Sequence, residues 1–383
     1  MKVLLLSDTF EYGGGERHTA DLALALLARD LDVRIASVKP GTPLLDEPAY
    51  APLRPLTDCL GATRYLDPFA VLALRRLVRH YRPDVLLSSN MYALMYAWAG
   101  SRTQRHRLPL VSVFHTTVLR DSKQRWQHRL IYDRLVRQTD AFVFLCQFQA
   151  AHWRERGLAP GRPQVIYNGI DTQRFRPGLV VERRAAARQA LGVEGSDYVV
   201  GCNAMLRVEK NHRQLLEAVA LLRQQGLPAV AALLGEGALR PALQAQAESL
   251  GIARQVRFLG RQSRVEDYLP GFDTGALPSW SETFSLAALE QMAMGIPMVM
   301  SRQGGAAEML SDGEHGYLVP TGDLPALATS LARLHDPVLR ARLGAAAAAR
   351  VAQRFDRATM VDQYVALIRL VTGSGPRSPS DAP

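Results

Sequence analysis

Cysteine is scarce in this sequence of 383 residues, which holds only Cys59, Cys146 and Cys202. Three widely spaced thiols, without metal-ligand or redox spacing, exclude a disulfide framework and indicate a reducing compartment. Long apolar runs are also lacking: the stretches 3–6 and 91–100 fall well short of the ~20 residues that span a bilayer. The first of them is too short for a signal peptide, and no cleavage site follows it. We therefore expect a globular protein of the cytoplasm.

Lysine is almost absent, with 4 residues against 42 arginines, and the net charge is +10. The basic excess is concentrated in residues 102–137, where nine bases face only Asp121 and Asp133. Because Trp126 and Tyr132 are interleaved with these bases, the segment is predicted to contact an anionic membrane surface. Nucleic acid is the competing partner of a basic protein. The arginine and alanine bias is typical of GC-rich coding, however, and we expect no nucleic acid.

Short apolar segments alternate with helical patterns along the chain, which is typical of parallel α/β sheets. The predicted strands are residues 3–6, 33–38, 84–88, 110–114, 141–145 and 164–167, followed by 198–201, 229–234, 256–259, 274–277 and 297–300. A polar, Arg/Ala-rich region at 172–197 separates the two series. We predict doubly wound domains at 1–172 and 173–355, a closing helix at 356–371 and a disordered tail at 372–383. In this arrangement a ligand is expected at the carboxyl ends of the strands, in a cleft between the domains.

One predicted helix has clear start and stop signals. Ser281, Thr283 and Ser285 stand where an N-cap is expected, and an Ala/Leu/Met run follows. Gly295 and Pro297 end the run. The free amides at such an N-terminus, helped by the helix dipole, form a site for a phosphate.

Two carboxylates frame that helix start. Glu282 lies just before the helix start. Glu290 lies about five residues, or roughly 7 to 8 Å, into the helix from Ser285. Carboxylates repel phosphate but accept hydrogen bonds from sugar hydroxyls. The arrangement therefore suits a nucleotide sugar, while the alternative is two surface acids on an ordinary core helix.

Three further features are candidates for the same site. A glycine-rich loop, Gly13-Gly14-Gly15, follows the first strand and would bring its backbone close to a phosphate, or it is a plain tight turn. Arg207 and Lys210 follow the first strand of the second series, where cations neutralise a departing diphosphate, or they form a solvated charge cluster. His115 ends strand 110–114 and is either a site residue or a structural histidine.

Taken together, these segments resemble the GT-B retaining glycosyltransferases of family 4. The resemblance covers residues 1–371 and rests on segments that occur in the family's order: Gly13-Gly-Gly-Glu16, Val165-Ile-Tyr-Asn-Gly-Ile-Asp171, Leu206-Arg-Val-Glu-Lys-Asn-His212, Gly235-Glu-Gly237, Glu282-Thr-Phe-Ser-Leu-Ala-Ala-Leu-Glu290, Met292-Ala-Met-Gly-Ile-Pro297, Ser301, Gly304-Gly305 and Glu308. It implies two Rossmann-like domains facing a cleft, with the closing helix packed on the first.

The resemblance also implies roles for particular residues. Glu282 and the amides of Phe284 and Ser285 would hold the sugar and phosphate, Glu290 the ribose, and His115 would lie beside the transferred sugar. The predicted donor-binding residues are Gly13, Gly14, Arg207, Lys210, Glu282, Thr283, Phe284, Ser285 and Glu290, and the predicted catalytic residues are His115, Lys210 and Glu282. No metal or cofactor is implied, because cationic side chains and helix-end amides would take the place of a metal.

One position departs from the family pattern: Met205 stands where an arginine is usual, five residues before Lys210. Our hypothesis is that Arg207 supplies the missing charge. The resemblance implies transfer of a hexose with retention, to a saccharide or lipid-linked saccharide in envelope or exopolysaccharide synthesis. A sugar-nucleotide epimerase and a non-catalytic sugar-nucleotide-binding protein remain as alternatives.

Overall fold

A computed structural model describes residues 1–103, 107–117 and 131–373 of the chain. The chain divides into two compact units: one is Met1–Tyr167 together with the residues from Ala358 onward, and the other is Asn168–Arg357. The second unit thus begins between Tyr167 and Asn168, whereas the sequence placed the boundary after residue 172. The predicted tail lies almost wholly in 374–383, outside the described residues.

Hydrogen bonds explain why the boundary lies earlier than predicted. The side-chain amide of Asn168 donates to the carbonyl of Phe284 at 3.0 Å. The backbone amide of Arg357 donates to the carbonyl of Ile170 at 2.9 Å. Both partners belong to the second unit, so residues 168–171 are anchored there.

The first unit is built around a parallel sheet whose central strands are buried and largely apolar. Its strands in the described chain are β1 (Lys2–Ser7), β2 (Asp32–Ser37), β3 (Thr57–Cys59), β4 (Val85–Ser89), β5 (Leu110–Phe114), β6 (Ala141–Phe144) and β7 (Pro163–Val165). Their order across the sheet is β3-β2-β1-β4-β5-β6-β7. The helices are α1 (Gly14–Leu27), α2 (Pro68–Tyr81), α3 (Asn90–Ser101), α4 (Asp133–Val136) and α5 (Gln147–Glu155).

The second unit repeats this design. Its strands are β8 (Tyr198–Asn203), β9 (Ala229–Leu234), β10 (Val256–Gly260), β11 (Thr274–Leu277), β12 (Met298–Ser301) and β13 (Gly316–Val319), all parallel and in the order β10-β9-β8-β11-β12-β13. The helices that follow in the chain are α6 (Pro177–Leu191), α7 (His212–Gln224), α8 (Arg240–Ser249), α9 (Leu286–Ala293), α10 (Ala306–Met309), α11 (Leu324–Arg333), α12 (Pro337–Arg354) and α13 (Arg357–Thr372). From Ala358 onward, α13 belongs to the first unit.

Strand order reverses once in each sheet, between β1 and β4 and between β8 and β11. At such a point the loops that leave two neighbouring strands run to opposite faces of the sheet, and a crevice opens between them. Asp8 and Asn90 follow β1 and β4 in the first unit, while Asn203 ends β8 in the second. The fold therefore places polar residues at the strand-order reversal of each unit.

The apolar stretch 91–100 is a core helix. Nearly every residue of α3 is buried, which is typical of a helix covered on all sides. No helix in the described ranges is both long and apolar enough to cross a membrane.

Candidate functional site

The N-terminus of α9 is the centre of the candidate site in the second unit. Ser285 is its N-cap, and its hydroxyl accepts a hydrogen bond from the amide of Ala288 at 3.3 Å. Of the three predicted capping residues, the chain therefore uses Ser285. The helix ends at Ala293, and Gly295 beyond it has φ +77°, in the left-handed region that glycine favours. The predicted helix is present with its predicted ends.

Lys210 and Glu282 form an ion pair beside that N-terminus. The ammonium nitrogen of Lys210 donates to Oε2 of Glu282 at 2.6 Å, and their side chains are only 22% and 15% exposed. Burial works to lower the pKa of Lys210, but the charge and hydrogen bond of Glu282 outweigh it and raise the pKa above its usual value. The site therefore keeps a fixed positive charge next to the N-terminus of α9.

Backbone contacts hold the two loops of this ion pair in place. The amide of Trp280, in the loop after β11, donates to the carbonyl of Glu209 at 2.8 Å. On the other side, the amide of Gly305 donates to the carbonyl of Thr283 at 2.7 Å. A Cβ at Gly304 would lie 2.0 Å from the carbonyl oxygen of Glu282, so only glycine allows this approach. Glu282 is thus positioned by its backbone as well as by Lys210.

Glu290 lies inside the helix and is fully buried. Its Oε2 accepts a hydrogen bond from the side-chain amide of Asn203 at 3.0 Å, which links α9 to the carboxyl end of β8. Sequence reasoning missed Asn203, although its place at the end of the first strand of the series was a usable signal. Because Glu290 is fully buried, a ribose hydroxyl can reach it only after the side chains around it move.

Arg207 lies near Glu209, two residues further along the same loop. Its guanidinium is 4.0 Å from the carboxylate of Glu209, and its side chain is nearly half exposed. His212, two residues after Lys210, is buried, and burial followed by the charge of Lys210 lowers its pKa to about 4. Because His212 is neutral at physiological pH, it adds no charge to the site.

The glycine loop of the first unit opens α1. Gly13 is the N-cap, and a Cβ there would lie 2.2 Å from Oε2 of Glu16, whose carboxylate folds back over the helix start. A Cβ on Gly14 would meet nothing within 4 Å. A Cβ on Gly15 would lie 3.2 Å from the ring of His115. Of the three glycines, Gly14 therefore has open space beside it, while Gly15 packs on the predicted catalytic histidine.

His115 belongs to a small cluster of rings in the first unit. The rings of His18 and His115 are 4.9 Å apart, and Nε2 of His18 lies 3.2 Å from the hydroxyl of Tyr364 in α13. Burial, followed by the charge of His18, lowers the pKa of His115 well below its usual value. His115 is therefore a neutral imidazole, suited to hydrogen bonding with a hydroxyl and not to ion pairing.

Asp8, which sequence reasoning did not select, follows β1 at the same edge of this sheet. Its Oδ1 accepts from the amide of Ala93 in α3 at 2.8 Å. Burial raises its pKa to about 7, against the lowering effect of that hydrogen bond. The sequence alone carried no signal for it, because the strand-order reversal beside it becomes visible only in the structure. In residues 1–103, 107–117 and 131–373, no group of three or more His, Cys, Asp or Glu residues is placed to hold a metal ion.

Comparisons with known proteins agree with this architecture. The family model described as Glycosyltransferase Family 4 matches residues 12–174, and that described as Glycosyl transferases group 1 matches residues 197–336. The D-inositol 3-phosphate glycosyltransferase of Rhodococcus jostii (strain RHA1) is 35% identical over 334 residues, which are 81% of this chain and 73% of that protein. The chain belongs to glycosyltransferase family 4. The family and the fold predicted from the sequence are confirmed.

Other relatives of this family 4 glycosyltransferase span most of the chain. The D-inositol 3-phosphate glycosyltransferase of Streptomyces scabiei (strain 87.22) is 29% identical over 388 residues, 89% of this chain and 83% of that protein. HepE of Anabaena, solved with UDP-glucose, has a TM-score of 0.82 at 24% identity, covering 97% of this chain and all of its own. A glycosyltransferase from Rickettsia africae ESF-5 has a TM-score of 0.82 at 17% identity, covering 97% of this chain and 99% of its own. These structures share the GT-B fold.

Proposed function

We propose that this glycosyltransferase transfers a hexose from a nucleoside diphosphate sugar, with retention of configuration and without a metal ion. The observation that carries the proposal is the Lys210–Glu282 ion pair at the N-terminus of α9. It combines a fixed cation, a carboxylate and the N-terminal amides of α9 within one loop cluster. Such a set matches a ligand that has phosphate and sugar hydroxyls side by side.

The leaving group is the centre of the proposed chemistry. As the bond from the sugar to the diphosphate breaks, negative charge grows on the phosphate oxygens. The ammonium group of Lys210 and the amides of Phe284 and Ser285 would stabilise that charge, which is the task a metal ion performs elsewhere. The diphosphate would compete with Glu282 for Lys210, and the released carboxylate would then accept hydrogen bonds from the sugar.

Retention is proposed because the carboxylates of the site already have other contacts. Glu282 is paired with Lys210 before the donor binds and would accept hydrogen bonds from the sugar afterwards, while Glu290 is buried against Asn203. Neither would then act as a nucleophile, which favours attack by the acceptor hydroxyl on the face that the diphosphate leaves, with the proton of that hydroxyl passing to an oxygen of the departing diphosphate. The bound UDP and UDP-glucose of HepE support a nucleotide-sugar donor.

For the acceptor we propose a saccharide or lipid-linked saccharide of envelope or exopolysaccharide synthesis, with His115 beside the transferred sugar. The names of the two relatives make D-inositol 3-phosphate a further acceptor to test. We also propose membrane contact through residues 102–137, at the inner face of the cell membrane. Residues 104–106 and 118–130 of that segment lie outside the described residues.

The test has two stages. A thermal-shift screen of UDP, GDP and ADP sugars identifies the donor, and turnover is then measured with candidate acceptors in the presence of a chelator. We expect release of nucleoside diphosphate only when acceptor is present, chelator-resistant turnover, and a product whose linkage has the donor's anomeric configuration. An inverted linkage, loss of turnover with the chelator, or epimerised donor without acceptor would overturn the proposal.

A further inference from the structure

Exposed apolar side chains are concentrated at one place on the first unit, where the chain enters α2. Leu66 is 63% exposed, Phe69 79% and Leu72 48%. Phe69 and Leu72 are three residues apart on α2 and therefore share one face of it, and Leu66 lies two residues before the helix begins. Large apolar side chains are seldom left in water as a contiguous group unless they meet a partner.

The inner face of α2 already has its partners. Ala70, Leu74 and Val78 are buried in the hydrophobic core of the first unit. The helix start is fixed because the carboxylate of Asp67 accepts hydrogen bonds from the amides of Phe69 and Ala70. The outward orientation of Phe69 and Leu72 is therefore set by a capped helix seated on its core.

The outer face changes character along the helix. Phe69 and Leu72 occupy its first half, and the exposed Arg76 and Arg79 continue the same stripe at positions i+7 and i+10 from Phe69. This stripe is about 15 Å long. Residues 68–81 contain no acid, and Arg75 adds a third base. The surface formed by Leu66, Phe69, Leu72, Arg76 and Arg79 is called the α2 face below.

We propose that the α2 face docks this protein on an anionic bilayer surface. Leu66, Phe69 and Leu72 enter the boundary between headgroups and acyl chains, and the guanidinium groups of Arg76 and Arg79 bind lipid phosphates. Charge complementarity selects an anionic surface, and the apolar half of the stripe selects lipid over nucleic acid. This inference adds a second lipid-contacting surface to the proposed segment 102–137, and it depends neither on the donor nor on the transfer reaction.

The experiment is co-sedimentation of the full-length protein with large vesicles that contain no saccharide lipid. We expect binding to vesicles of phosphatidylglycerol and phosphatidylcholine, little binding to phosphatidylcholine alone, and weakening by salt. Leu66→Ser/Phe69→Ser/Leu72→Ser should lower the partition coefficient at least about tenfold. Arg76→Gln/Arg79→Gln should lower it about fivefold for each arginine.

Matched controls come from exposed helices of the second unit. Val181→Ser/Val338→Ser removes apolar side chains that are 85% and 76% exposed, and Arg213→Gln/Arg223→Gln removes two exposed arginines of α7. Both control proteins should bind vesicles as the unchanged protein does. Thermal unfolding verifies that each variant folds. If Leu66→Ser/Phe69→Ser/Leu72→Ser does not fold, the binding of Arg76→Gln/Arg79→Gln decides the outcome.

Three results would overturn the proposal: no binding of the unchanged protein to anionic vesicles, equal binding by the α2 variants, or equal losses in the controls. Each is separate from a failure of the proposed transfer reaction, because donor binding by the second unit is measured independently in the thermal-shift assay.

Discussion

The ammonium group of Lys210 serves two anions in our proposal, Glu282 in the unliganded chain and the diphosphate during transfer. Lys210→Met keeps the length of the side chain but removes its charge. We expect turnover to fall by about 100-fold or more, because the growing charge on the leaving group loses its cation. Initial rates at saturating donor measure this effect.

Two comparisons sharpen the Lys210 experiment. Arg213→Met removes an exposed cation of α7 and should leave the rate unchanged. Arg207→Ala tests whether this arginine replaces the family arginine absent at Met205, in which case turnover should fall about tenfold. Normal turnover of Arg207→Ala beside an inactive Lys210→Ala would refute that hypothesis.

Asp8 gives a prediction for stability against pH. Its pKa rises from 3.8 to about 7 on folding, chiefly through burial. Between these values the folded chain holds a proton that the unfolded chain releases, so this group lowers the free energy of unfolding as pH rises from about 4 to about 7. Above about pH 7 Asp8 is ionised in both states, and it no longer changes the free energy of unfolding as pH rises.

Asp8→Asn should therefore be more stable than the unchanged protein at pH 8. We expect its free energy of unfolding at pH 8 to be higher by about 1 to 2 kcal/mol, because Asp8 is only half-buried. Near pH 4 we expect no difference. The asparagine oxygen can still accept from Ala93. Urea unfolding at the two pH values measures the change, with the exposed Asp30→Asn as control. A difference that does not vary with pH would contradict the assigned pKa.

At the level of elements, the N-cap of α9 connects stability with binding. Ser285→Ala should cost about 1 kcal/mol of unfolding free energy and weaken donor binding, because the first turn that presents the amides loosens. Asp323→Ala removes the equivalent cap of α11, where the carboxylate accepts from Ala326 at 2.9 Å. It should cost similar stability without weakening donor binding in a titration. If Ser285→Ala and Asp323→Ala lost donor affinity equally, the Ser285 cap would affect binding only through the stability of the second unit.

The elements that sequence predicts best are those whose signals are local. The helix α9 was found because Ser285 and Gly295 mark its ends, and most strands because their apolar runs are bounded by polar residues. The strand β3 (Thr57–Cys59) was missed because it is three residues long and has no buried residue. The helix α3 was read only as an apolar stretch, since burial on all sides removes the periodicity that identifies a helix.

Contacts across the whole second unit could not be predicted from local patterns. The Lys210–Glu282 and Asn203–Glu290 pairs join residues 72 and 87 positions apart. The family order suggested that Lys210 and both glutamates share a site, but not which side chains bond. Asp8 was missed for the same reason, because a single polar residue after a strand gains meaning only when the strand order is known.

Chain connectivity makes the first unit discontinuous, since it consists of residues before Asn168 and of the C-terminal residues from Ala358 onward. The first unit is therefore complete only when its C-terminal residues are present. Within it, Tyr364 of α13 is fully buried and lies 3.2 Å from Nε2 of His18 in α1. The same helix carries Asp362, which pairs with Arg29. We infer that α13 is an integral part of the first unit's core.

Tyr364→Ala should leave a cavity in the first unit and cost about 3 to 5 kcal/mol there. Hydrogen exchange measured by mass spectrometry should then accelerate in α1 by about 100-fold or more, while amides of β8 and α9 in the second unit keep their rates. Tyr198→Ala is the reciprocal variant, because Tyr198 is buried in the second unit and donates to the carbonyl of Leu331. It should accelerate exchange in β8 and spare α1. If either variant accelerated exchange equally in the amides of α1 and in those of β8, the two units would open as one cooperative structure. In that case α13 would not stabilise the first unit selectively.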